Sequence, residues 1–218
     1  MDKISDVTIS DCVESKYIKP LRLTYQQNGI DKIWDALTVH DSYALLFNYT
    51  CTCNFFIAVY IHRANVKEEN GQKIIKHKEN PGHLGLTYEL CAGIIDKDSS
   101  LEQIAQAEVL EECGYNVPLD KLERICSCRS GVGTSGALMT LYFAEVTDAM
   151  RVSKGGGLVE EGEMIDVVDI PVSEAMKFVM DDDVNKPVGM IMMFAVLWFL
   201  KIILNSIHDI YMTRIIFF

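Results

Sequence analysis

Positive charge is scarce in this chain: 20 lysines and arginines stand against 31 aspartates and glutamates in 218 residues, a formal net charge of −11. A nucleic acid would meet repulsion and no basic stripe, so none is expected as a partner, and an anionic small molecule needs a cation as intermediary. The seven cysteines include no Cys-x-x-Cys, only the pairs Cys51/Cys53 and Cys126/Cys128. That odd, sparse set excludes a secreted disulfide framework and completes no zinc site, leaving buried or edge thiols. Met1 to Asp6 carries no positive cap followed by an apolar run, so no secretory signal is read and a reducing cytoplasm is the expected location. Nor is there an uninterrupted membrane span. Val188–Leu204 is apolar except for Lys201 but falls short of the ~20 residues a crossing needs. It is expected as a buried or interface helix, introduced by Asp181-Asp182-Asp183 and Pro187.

With 49% hydrophobic and 23% charged residues, what remains suits one soluble domain with a small accessory unit. Repeats, low-complexity tracts and long linkers are absent. Leu21–Gln27 and Asp31–Val39 read as a hairpin turned at Asn28-Gly29, a β unit within residues 1–40 ahead of a main domain over 41–204 and a tail over 205–218. Ser42–Asn48 and Phe55–His62 read as a strand pair with a turn at Tyr49–Asn54, and Lys67–His83 as a surface loop with a strand piece at Ile74-Ile75. Strands are also expected at Leu84–Glu89, Arg124–Ser130, Leu138–Val146 and Met164–Ile170, and a short helix at Ser173–Met180. Mixed strands around one central helix make the fold α+β.

That central helix carries the chemistry. Ser99 or Ser100 caps it, with Glu102 or Gln103 closing a capping box, and Gly114 stops it after Cys113. Glu108, Glu111 and Glu112 stand at i, i+3 and i+4, on the face shared by Leu101, Ile104 and Ala105, which should pack inward. No lysine or arginine lies between Lys97 and Lys121. Three crowded, partly buried carboxylates repel one another unless a cation is bound, and hard divalent ions prefer such oxygens. Magnesium is the expected cofactor, with manganese able to substitute. The competing reading is an acidic, solvent-exposed helix.

The segment from Gly93 to Tyr115 resembles the Nudix box, G-x5-E-x7-R-E-U-x-E-E-x-G-U, where U is aliphatic or aromatic. Seven of nine specified positions match; Ser99 replaces a glutamate and Ala107 replaces an arginine. The wider resemblance is to the ADP-ribose and UDP-sugar pyrophosphatase branch, nearest its uridine diphosphate glucose pyrophosphatases. It runs from about Tyr17 to Leu204 through Lys32-Ile33-Trp34-Asp35, Glu89-Leu90-Cys91-Ala92-Gly93, Ser130-Gly131-Val132-Gly133 and Gly155 to Glu163.

What the resemblance implies is a Nudix fold, a mixed β-sheet sandwiched between helices, in a homodimer joined through the N-terminal hairpin. It implies hydrolysis of nucleoside diphosphate sugars, UDP-glucose-like or ADP-ribose, to a nucleoside monophosphate and a sugar phosphate. Glu108, Glu112, Glu163 and the backbone carbonyl of Ala92 would hold metal. Glu111 would ligate or orient its neighbours, and Glu161 would be the base for the attacking water. A loop with Gly155-Gly156-Gly157 would close over substrate and open for product.

Substrate contacts are expected from Trp34, by stacking on a nucleobase, and from Arg63, Gly93, Ser130, Gly131 and Gly133. Trp34 has packing beside the hairpin as its other reading, and Leu138 stands where an arginine is usual. The missing box arginine would ordinarily steady a glutamate of the cluster. Its loss supports a second reading, a weakened protein that binds such nucleotides without turning them over.

Overall fold

The computed structural model describes residues 4, 7–15, 17–47, 50–55, 59, 63–76, 78–95, 98–181 and 189–207. After the short β1 (Val7–Ile9), Asn28 and Gly29 take φ of 54° and 77° and turn β2 (Lys19–Gln27) into β3 (Ile30–Thr38). Both values being positive gives the mirror-image turn that matches strand twist. The register is unbroken, from Lys19 opposite Thr38 to Gln27 opposite Ile30. Pairing puts Leu21, Leu23, Tyr25, Trp34 and Ala36 on one face of this ribbon, and its large apolar side chains are exposed.

The main sheet has four strands in the order β10 (Glu123–Ser130), β11 (Ala137–Ala144), β4 (Ser42–Phe47), β9 (Cys91–Ile94). β4 runs parallel to β11 and the other pairs are antiparallel, so the sheet is mixed. Alternation along β11 shows its two covers: Tyr142 joins a core with Ile104 and Ala105 of the first helix and Val109 just after it, whereas Leu141 joins one with Val179 and Met192. These opposite faces are closed by α1 (Leu101–Glu108) on one side and by α2 (Val172–Val179) with α3 (Met190–Ile207) on the other. A second sheet, β12 (Ile165–Asp169), β5 (Thr50–Phe55), β8 (Leu86–Glu89), is wholly antiparallel.

Two expectations fail. The expected turn at Tyr49–Asn54 is largely strand β5, because Thr50–Asn54 pair with β12 and Thr52–Phe55 with β8, and β-branched residues suit that setting. Its expected partner at Phe55–His62 falls mostly outside the described residues. In the expected loop at Lys67–His83 the strand piece at Ile74-Ile75 is present as the end of β7 (Gln72–Ile75), but it belongs to an unforeseen hairpin with β6 (Val66–Glu69), turned at Asn70-Gly71 and extended by β1. The polar composition hid an Asn-Gly turn signal.

The apolar C-terminal segment does pack. Met192, Ala195, Val196 and Phe199 of α3 are buried against the sheet and α2, and among the described residues no helix is long and apolar enough to cross a membrane. The tail beyond Ile207 lies outside the described residues. Cys12, Cys91, Cys113, Cys126 and Cys128 are free thiols.

Candidate active site

Ser100 caps α1: its hydroxyl accepts the Gln103 amide while the Gln103 side chain accepts the Ser100 amide. Of the alternatives open in the sequence, this pair is the one formed. After Glu108 the helix widens into one π turn, Val109–Cys113, and ends at Gly114 in the left-handed conformation. Widened turns of this kind are frequent at functional sites. Here the turn carries Val109, Glu112 and Cys113 into the interior while Leu110 stays out. Ala107 and Glu111 are half-buried.

Glu112 is 4% exposed, and its Oε2 is buried with no hydrogen-bond partner. Burial, reinforced by the negative charges of Glu108 and Glu163, pushes its carboxyl up to about 8 from an ordinary 4.5. The Cys91 thiol and the Ala92 backbone amide oppose that rise by hydrogen bonding to the carboxylate. The predicted ligands Glu108, Glu112, Glu163 and Ala92 thus act on one another around a single buried carboxylate. Gly93 follows Ala92 in β9, opposite Tyr43.

Cys91 and Cys113 were not foreseen here. Both are fully buried, and burial, with contact between the two thiols, drives Cys91 well above the usual thiol range. Their positions beside Ala92 and Glu112 were the available signal. Glu89, on β8, is likewise raised by burial, with a Thr87 hydrogen bond opposing.

The segment after the helix is laid along it. Gly114 carbonyl accepts the Val152 and Ser153 amides at 2.9 and 3.2 Å, Glu112 carbonyl the Gly156 amide at 2.9 Å, and Glu111 carbonyl the Gly157 amide at 3.1 Å. Glu163 then folds back so that its Oε2 accepts the Leu158 amide at 2.8 Å. Glu161 ends a short 3-10 turn and is exposed. The structure brings Glu163 to the acidic group, and Glu161 stays at the surface. Among the described residues, no three His, Cys, Asp or Glu side chains converge closely enough to coordinate one ion as they stand. A hard cation nonetheless fits the donor chemistry, because the carboxylate with the orphaned, buried oxygen lies within electrostatic reach of two further carboxylates and would be relieved by positive charge.

Other expected contacts form a second group. Trp34, 52% exposed, donates from Nε1 to the Gly133 carbonyl at 3.1 Å, and the Leu37 amide donates to the Thr134 carbonyl at 2.8 Å. The hairpin is therefore fastened to the Ser130–Gly136 loop. Inside that loop the Gly131 carbonyl accepts the amides of Thr134, Ser135 and Gly136, and the Ser130 carbonyl accepts the Ser135 hydroxyl. Beside the junction lies a groove of about 470 Å³, walled by residues including Arg22, Asp35 and Thr134. Arg63 has a structural use, donating from Nη1 to the Leu84 carbonyl at 2.8 Å.

No family model matches the chain. Individual relatives do. Uridine diphosphate glucose pyrophosphatase NUDT14 of Bos taurus is 42% identical over 215 residues, covering 91% of this chain and 95% of that one. Its Mus musculus counterpart is 37% identical over the same shares. A GDP-mannose pyrophosphatase of Klebsiella pneumoniae is 31% identical over 106 residues, about half of each chain (49% and 51%). A solved ADP compounds hydrolase superposes with a TM-score of 0.60 at 14% identity, covering 96% of this chain and 97% of that one, so the α+β sandwich is shared. Similarity sustained along nearly the full length of both chains establishes the kinship: this chain belongs to the Nudix hydrolase family, in its ADP-ribose and UDP-sugar pyrophosphatase branch.

Proposed function

We propose that this chain hydrolyses the diphosphate of nucleoside diphosphate sugars, UDP-glucose-like compounds or ADP-ribose, to a nucleoside monophosphate and a sugar 1-phosphate or ribose 5-phosphate. The observation that carries the reading is the buried, unpartnered Oε2 of Glu112, on a carboxyl that also feels the charges of Glu108 and Glu163. The named activities of the relatives support the substrate class.

Glu108, Glu112, Glu163 and the Ala92 backbone would hold magnesium or manganese. When bound, such an ion neutralises diphosphate oxygens and makes a water more acidic. Glu111 holds the turn through its carbonyl and keeps its own carboxylate at the rim. Glu161, exposed on the same loop as Glu163, is the assigned base, taking the proton of the attacking water once the loop faces substrate. Trp34, with its exposed ring, is assigned to the nucleobase, and Gly93, Ser130, Gly131 and Gly133 to further substrate contacts. We assign Arg63 to holding Leu84, with any contact to substrate secondary.

The apolar hairpin face supports a homodimer, since a two-stranded ribbon leaves it uncovered in one chain. Residues 1–40 would be the dimerisation unit and 41–204 the catalytic domain. A second reading, a binding protein with little turnover, has Ala107 in its favour. Incubating the protein with UDP-glucose, ADP-ribose and GDP-mannose, with and without magnesium, separates the two: release of nucleoside monophosphate supports hydrolysis, and tight binding without release supports the second reading.

A further inference from the structure

We infer that Gly155 and Gly157 are positioning residues, a backbone strap that sets Glu112 and Glu163 against each other in the same half-site. The inference rests on the metal reading of Glu112 and goes beyond it, because these glycines carry no group that touches substrate or ion.

Three observations carry it. A Cβ on Gly155 would stand 2.2 Å from the Glu112 carbonyl oxygen and 2.8 Å from its carbonyl carbon, backbone atoms that cannot step aside. A Cβ on Gly157 would stand 2.7 Å from Oε2 and 2.8 Å from Cβ of Glu163, so the Glu163 side chain occupies the space that any other residue at 157 would fill. Both glycines have φ in the left-handed region, +69° and +78°. Between them, Gly156 donates to the Glu112 carbonyl, Gly157 donates to the Glu111 carbonyl, and Leu158 donates to the Glu163 carboxylate. Four consecutive positions, 155 to 158, therefore join the turn bearing Glu111 and Glu112 to the loop acid with no basic side chain involved. The glycines expected in a loop that closes over substrate serve close backbone approach here, and the strap steadies the acidic cluster where position 107 supplies no charge.

The test uses metal-free full-length protein and its Gly157→Ala, Glu163→Gln and double variants, with Mn2+ affinity read by electron paramagnetic resonance and amide exchange of Gly156 read by NMR. Gly71→Ala is the control for backbone strain: Gly71 has φ +76° with no atom within 4 Å of an added Cβ. If Gly157 acts through Glu163, Gly157→Ala weakens Mn2+ binding roughly 10- to 100-fold, as loss of an outer-shell support does. Glu163→Gln weakens it comparably, and the double variant is no worse than the weaker single, because coupled sites are non-additive. Gly71→Ala binds as the parent does, and the Gly156 amide stays protected in the parent without metal. Gly157→Ala binding as tightly as the parent, or losses that multiply in the double variant, overturns the inference while leaving the metal reading intact. A parent chain that binds no Mn2+ overturns both.

Discussion

Glu112 titrates near 4.5 when unfolded and near 8 in the folded, metal-free chain, so the folded state holds that proton more tightly. Its contribution to stability is therefore complete below pH 4.5 and is lost as pH rises through 8. Glu112→Gln keeps the shape and removes the charge. Thermal melts of metal-free protein from pH 5 to 9 should show the parent losing stability that the variant keeps, a gap reaching on the order of 3–5 kcal/mol above pH 8. Magnesium added to the parent should close the gap; two parallel pH profiles would contradict the burial argument. The burial of Glu112 was legible in the sequence, which put it on the inward face; Glu108 and Glu111, expected on that face too, are only half-buried. The contact of Cys91 with Glu112 and with Cys113 was not legible, because it depends on β9 and the π turn meeting across the core.

The helix that presents the acids is held at one end by Ser100 and Gln103. Ser100→Ala should cost about 1 kcal/mol in denaturant unfolding, with Gln103→Ala adding less than its separate value because the two bonds are reciprocal. The N-terminal hairpin is held to the Ser130–Gly136 loop through Trp34. If its exposed ring stacks on the nucleobase, Trp34→Ala should raise KM by roughly 5- to 150-fold, as loss of about 1–3 kcal/mol of stacking does, with kcat little changed. A fall in kcat at constant KM would reassign Trp34 to packing.

At this scale the sequence read well where pattern and turn chemistry agreed, as at Asn28-Gly29 and at α1. It failed at β5, whose Thr and Cys residues gain strand form from neighbours on both edges. It caught Ile74-Ile75 of β7 but missed β6, where polar side chains masked a hairpin. The strap was illegible for a related reason, being built from backbone groups of residues about 45 positions apart in sequence.

Over the whole molecule, two helices on one face and one on the other bury a mixed sheet, and the acidic turn sits at the edge where both sheets meet it. The family resemblance read in the box and its flanking motifs extended along the chain as the relatives now show. The uncovered apolar ribbon predicts self-association: sedimentation should find a dimer, and Leu23→Glu should shift it to monomer without unfolding the catalytic domain. A parent that sediments as a monomer would remove the dimer from the proposal. The most direct measurement of the central claim is release of UMP and glucose 1-phosphate from UDP-glucose by the parent and by Glu112→Gln, each with and without magnesium. The parent with magnesium should turn over, and loss of either the ion or the carboxylate should slow release by about two orders of magnitude or more. Equal release by parent and variant, or release indifferent to magnesium, would contradict the assignment of a metal-dependent hydrolase centred on Glu112.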